Sequence, residues 1–125
     1  MKPYLYLIGA MLGYMLGGWD AGIQTLLTLC CIDYVTGILK AIYQKRLNSA
    51  IGARGIIKKV CYFLAIAACV AVERIAPGGE NIHNAAAFAF SINEIISIIE
   101  NVGTVGVKIP DALKQYFTKL KEGQK

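Results

Sequence analysis

The chain has 125 residues, room for one domain; 56% of them are hydrophobic, 17% are charged, and mean hydropathy is +0.51. Ordinary globular domains run nearer a quarter charged, so the composition argues against a soluble fold and makes the bilayer the expected solvent. The net charge of +5 calls for no nucleic acid, because the basic residues cluster where apolar runs end and no aromatic-basic platform or zinc-finger spacing accompanies them.

Apolar runs cover residues 4–18, 21–43, 57–76 and 82–102, and crossing about 30 Å of hydrocarbon takes about 20 helical residues. The expected fold is an all-α integral membrane protein with three to four transmembrane helices, four favoured. These spans form one unit over residues 1–110, and a short basic amphipathic cytoplasmic tail follows over 111–125.

The first run, "YLYLIGAMLGYMLGG", is short, and lying in the membrane interface is an alternative to spanning. It lacks a small-x-small cleavage pattern before Trp19, which argues against a signal peptide. Gly9, Gly13 and Gly17 recur every four residues and form a ridge that allows close helix packing.

In the second run, Thr36, Gly37, Lys40 and Gln44 fall within roughly 60° of Asp33 on a helix. Gly37 permits close packing there, and Lys40 offers Asp33 a local counter-charge; on any reading this face is buried in protein. Lys45, Arg46, Arg54, Lys58 and Lys59 follow as a basic loop, with no acid from Tyr34 to Val72. This loop and the tail lysines after Gly106 belong on the cytoplasmic side by the positive-inside rule. The "GGWD" and "PGGE" turns then lie outside; the N-terminus is inside with four spans and outside with three.

In the third run Tyr62, Ala65, Cys69, Glu73 and Ala76 share a side, and Glu73 with Arg74 reads as an interfacial pair near the outer end. His83 also reads as an outer-interface residue. Cys30, Cys31, Cys61 and Cys69 lie within the runs without C-x-x-C spacing, as expected of buried free thiols rather than of a disulfide or metal site. No phosphate-binding loop or nucleophile motif is present, so neither a cofactor nor catalysis is expected.

The last run contains "FSINEIISIIEN". Asn93, Glu94, Ser97, Glu100 and Asn101 fall within an arc of roughly 120° at 100° per residue, with isoleucines around the rest. Such a stripe does not face acyl chains, where polar groups are costly. It either packs as neutral, hydrogen-bonded groups, with Glu100 at the headgroups, or forms an assembly seam that can become wet. After Pro110, a proline and Asp111 mark a helix start, and Leu113, Tyr116, Phe117 and Leu120 share one face, as in a helix lying on the cytoplasmic leaflet.

Together, "DYVTGILKAI", "NSAIGARGIIKK" and "NEIISIIENVGTVGVKIP" resemble the toxin-secretion and phage-lysis holins, a family that includes phage holins of Gram-positive bacteria and the clostridial toxin-release holin. The resemblance runs from about Asp20 to Leu120. Its blocks are Asp33, Tyr34, Thr36 and Gly37; then Ser49, Gly52, Arg54 and Gly55; then Asn93, Glu94, Ser97, Glu100, Asn101, Gly103, Gly106 and Pro110. It implies a multi-pass protein of the bacterial cytoplasmic membrane that assembles as a homo-oligomer among membrane lipids into a large lesion. Endolysin, or a toxin, is then passing cargo rather than a tight binder. Two rivals fit the composition: a small transporter or ion channel using Asp33 or Glu94, and a non-conducting membrane scaffold.

Overall fold

The computed structural model describes residues 2–76 and 81–123, and every regular element among them is helical: α1 (Pro3–Met15), α2 (Ala21–Tyr43), α3 (Ser49–Ile75), α4 (Ile82–Val105) and α5 (Asp111–Glu122). The expected outer turn at residues 77–80 and the last tail residues, 124–125, lie outside the described residues. α2, α3 and α4 are long and apolar enough to cross a membrane. At 13 residues, α1 reaches only about 20 Å at 1.5 Å per residue, short of the hydrocarbon thickness. Among the described residues the count of long apolar helices is therefore three, against the favoured four.

Local sequence sets the helix ends. The Asp20 carboxylate accepts from the Ile23 amide at 3.0 Å and starts α2, and the Asn48 side chain accepts from the Ile51 amide at 2.9 Å and starts α3, each satisfying an amide that the helix itself leaves free. The Asn48 cap makes α3 begin eight residues before the apolar run at Ile57. Arg54, Lys58 and Lys59, counted with the basic loop from sequence, consequently stand on α3, while Lys45 and Arg46 lie in the connection before it.

α1 ends sharply. The Gly18 amide donates to the Gly13 carbonyl and the Gly17 amide to the Tyr14 carbonyl, the paired bonds of a Schellman ending, with Gly17 in the left-handed region at φ 80°. Gly17 is thus a turn residue, and only Gly9 and Gly13 of the expected ridge are helical. What they accommodate is Trp19 of the same chain: its indole Nε1 donates to the Gly9 carbonyl at 3.1 Å and lies where a Cβ on Gly13 would stand.

α2 and α4 form the main contact of the bundle, with α3 packed mostly on α4 and α1 touching α3 near its end. Ile23, Leu26, Cys30, Tyr62, Ile66, Val70 and Ala87 make an apolar core, extended by a stacked Tyr62–Phe90 pair whose ring centroids are 4.4 Å apart. The core lies in the half of the bundle nearer the α1–α2 turn. Polar groups close that end: the His83 backbone amide donates to Glu73 Oε1 at 2.7 Å, and its Nδ1 stands 2.8 Å from both Glu73 oxygens. Glu73 does not pair with Arg74, whose guanidinium instead donates to the Tyr14 carbonyl at 2.6 Å and lies over the Tyr14 ring.

Candidate functional site

The other half of the three long helices meets in a buried charge cluster. Asp33 is ten residues from the end of α2, Lys59 ten from the start of α3, and Glu94 eleven from the end of α4. At 1.5 Å per residue these positions lie about 15–17 Å in from the same end of the bundle, so three separate helices deliver charge to one depth. Lys59 Nζ donates to Asp33 Oδ2 at 2.7 Å and stands 3.0 Å from Glu94 Oε2. Their side chains are 13%, 11% and 0% exposed respectively.

Asn101 ties the cluster together from a lower turn of α4. Its amide nitrogen donates to Asp33 Oδ1 at 3.0 Å and to Thr36 Oγ1 at 3.1 Å, and approaches the Asp33 carbonyl at 3.4 Å. Gly37 lies beside it, and a Cβ there would meet the Asn101 nitrogen at 3.7 Å, an ordinary contact, so the packing does not require glycine at this position. Asp33 is therefore the node that joins α2 to α3 through Lys59 and to α4 through Asn101. Its partner is Lys59, three turns inside α3, and not Lys40 on its own helix.

Glu94 is held less completely. Although Lys59 is close, neither Glu94 oxygen has a partner in hydrogen-bond geometry among the described residues, and the buried Tyr62 hydroxyl also lacks one. Leaving buried polar atoms unbonded is unfavourable by about 1–3 kcal/mol each, so Glu94 is the point at which this cluster gains most from water. A route to the cluster exists. A cavity of about 180 Å³ lies between α2 and α3, with Asn48 and Gly52 towards the α2–α3 connection and Asp33, Lys59, Ser97 and Asn101 at its inner side.

The polar stripe of α4 is divided. Glu94 and Asn101 are buried and Ser97 is half-buried beside the cavity, whereas Asn93 and Glu100 are exposed on the neighbouring face. The periodicity put all five on one arc; packing separates its two edges. Lys45, Arg46, Arg54 and Lys58 are exposed at or near the connection and join no such cluster. Lys59, counted with the basic loop although it lies in the 57–76 run, is the member that sequence reasoning missed as a partner of Asp33; the signal for its depth is Asn48, the N-cap residue that sets Lys59 in the third turn of α3.

Comparison with known sequences adds the remaining observation. The sequence profile of the Bacteriophage holin family matches residues 10–122, all three long helices and α5 included. The chain belongs to the bacteriophage holin family. Among its relatives is a protein of Bacillus phage phi105 named a probable holin, 33% identical over 88 residues, covering 70% of this chain and 65% of that one. An uncharacterized 14.9 kDa protein of Clostridium perfringens is 36% identical over 114 residues, 90% of this chain and 86% of its own length. An uncharacterized protein of Listeria monocytogenes is 33% identical over 106 residues, covering 85% and 76%. No solved structure matches the chain. Membership places a holin family member with three membrane-compatible helices in a membrane and gives no reason to assign it an enzymatic class.

Proposed function

We propose that this chain is a working holin: it accumulates in the bacterial cytoplasmic membrane, assembles with further copies, and opens lesions through which a cell-wall-degrading endolysin, or a toxin, leaves the cytoplasm. The family match carries the reading, and the buried Asp33–Lys59–Glu94 cluster supplies a physical basis for two states. In a single subunit the charges are sheltered among three helices. In a lesion the same helices border water, and Glu94, which among the described residues has the Lys59 ammonium 3.0 Å away but no hydrogen bond of good geometry, gains hydration. Accumulation favours the assembled state by mass action.

The proposed orientation follows the basic residues. The α2–α3 connection and α5 lie on the cytoplasmic side, and α5 rests on the leaflet through Leu113, Phe117 and Leu120, while its lysines reach anionic headgroups. With α2, α3 and α4 as the crossings, α1 and Trp19 lie at the outer interface, where indoles are favoured. Controlled expression with and without a cytoplasmic endolysin tests the function. Abrupt lysis that requires the endolysin is expected; depolarisation with no release of a cytoplasmic enzyme would instead describe a small channel or transporter.

A further inference from the structure

α4 carries two parallel seams, one residue apart. The first, with spacings of four and three, runs His83, Ala87, Phe90, Glu94, Ser97 and Asn101; all are buried or half-buried against the chain's own helices. The second has the same spacing through Ala86, Ala89, Asn93, Ile96, Glu100 and Gly103; Asn93, Glu100 and Gly103 are exposed, Ala89 and Ile96 are half-buried, and Ala86 packs against the chain's own core. A four-three alternation keeps side chains on one stripe along a helix and is the spacing that packs one helix against another.

The second seam is built to be covered. Asn93 sits eleven residues from Ile82 and twelve from Val105, so it lies at mid-span, about 17 Å from either helix end. It is exposed, and among the described residues no hydrogen bond reaches its amide. A primary amide at that depth needs a partner, and acyl chains offer none. One turn away the small side chain of Ala89, half-buried, lets another backbone approach closely. The lower part, at Ile96, Glu100 and Gly103, borders an open cleft of about 970 Å³ beside α5, so α5 does not fill it.

We infer that this seam is the surface on which a second copy of the chain docks, α4 against α4, with the two Asn93 amides bonding each other. An amide both donates and accepts, so it is complementary to itself, and copies inserted with the same orientation bring parallel α4 helices together across a two-fold axis along the membrane normal. Glu100 then faces its own counterpart. Asn93 specifies register and partner, in the way that a single polar residue does in a helical seam, while the facing Glu100 carboxylates keep the contact weak enough to reverse. The inference rests on the holin reading for its purpose, and assigns the self-contact to Asn93 and Glu100 rather than to Glu94.

The test uses the full chain in a cysteine-free background, reconstituted in phospholipid vesicles. Single cysteines are placed at Ala89 on the seam and at Phe88, which is exposed but roughly 140° away from Asn93 around the helix. Oxidation should link copies through position 89 at least fivefold more than through position 88. Energy transfer between labelled copies should fall several-fold in Asn93→Leu, recover in Asn93→Gln, and rise in Glu100→Gln. Equal linking at 88 and 89, or unchanged transfer in Asn93→Leu, would overturn the inference. Protein release from the same vesicles separates the two readings: seam-specific linking without release would refute the holin function and keep the contact, whereas release without seam-specific linking would do the reverse.

Discussion

Replacing Lys59 with methionine removes one ammonium and leaves two carboxyl groups facing each other inside the protein. In the native chain Nζ is 2.7 Å from Asp33 and 3.0 Å from Glu94, with Glu94 fully enclosed. Breaking a buried ion pair by deleting one partner is destabilising by about 3–5 kcal/mol, a change of roughly two to three and a half orders of magnitude in the folding equilibrium at about 1.4 kcal/mol per tenfold. Against a typical stability of about 5–15 kcal/mol, that is a large share. The assay is thermal unfolding of the detergent-solubilised protein, followed by loss of the monodisperse peak, with membrane-inserted yield measured in parallel. Adding Asp33→Asn and Glu94→Gln to Lys59→Met should restore most of the loss, because neutralising the whole set removes the uncompensated charge. A Lys59→Met protein as stable as the parent, or a triple variant no better than the single one, would refute the account of the cluster.

Four further outcomes follow from the geometry. Asn101→Leu should destabilise by about 1–3 kcal/mol by removing the bonds to Asp33 and Thr36, which the same unfolding assay reads. Gly13→Ala places a methyl group 2.7 Å from the Trp19 indole nitrogen and should release the ring; the chain has one tryptophan, so its emission should shift to longer wavelength. Glu94→Gln, at equal expression, should change the time of lysis or the size of the lesion, since it removes the carboxylate that gains hydration. Deleting residues 111–125 should change when lysis begins while leaving insertion and eventual lysis intact, as measured by culture turbidity and membrane fractionation.

Much of the helix layout was legible because apolar runs bounded by Gly, Asp and Pro are strong local signals. α2 is framed by Asp20 and the charged segment after Tyr43, and α5 starts where Pro110 and Asp111 announce it. The start of α3 was obscured by Gly52, Arg54, Gly55, Lys58 and Lys59, which lower the hydropathy of a stretch that the Asn48 cap nevertheless makes helical. α1 was read as longer because Gly17 continues the apolar, four-residue spacing, while its positive φ belongs to the turn that ends the helix.

The candidate site shows the same boundary. Asp33, Glu94, Ser97 and Asn101 stood out because polar residues in apolar runs are conspicuous, and a helical wheel puts the α4 members, with Asn93 and Glu100, on one arc. The wheel could not divide that arc, since 100° steps describe one helix and the division between Asn93 and Glu94 arises from where α2 and α3 press on α4. Pairs distant in the chain, Lys59 with Asp33 and His83 with Glu73, depend on which helix ends meet, a matter of topology rather than of local pattern.

The most direct test of the central claim is the size of what passes through the membrane. The purified chain is reconstituted in vesicles of bacterial phospholipid loaded with a small dye, graded dextrans and a folded enzyme, and release is followed as protein density rises. A holin should hold all of them at low density and then release dye, dextrans and enzyme together above a threshold. Graded loss of the small dye alone, with dextrans and enzyme retained at every density, would contradict it.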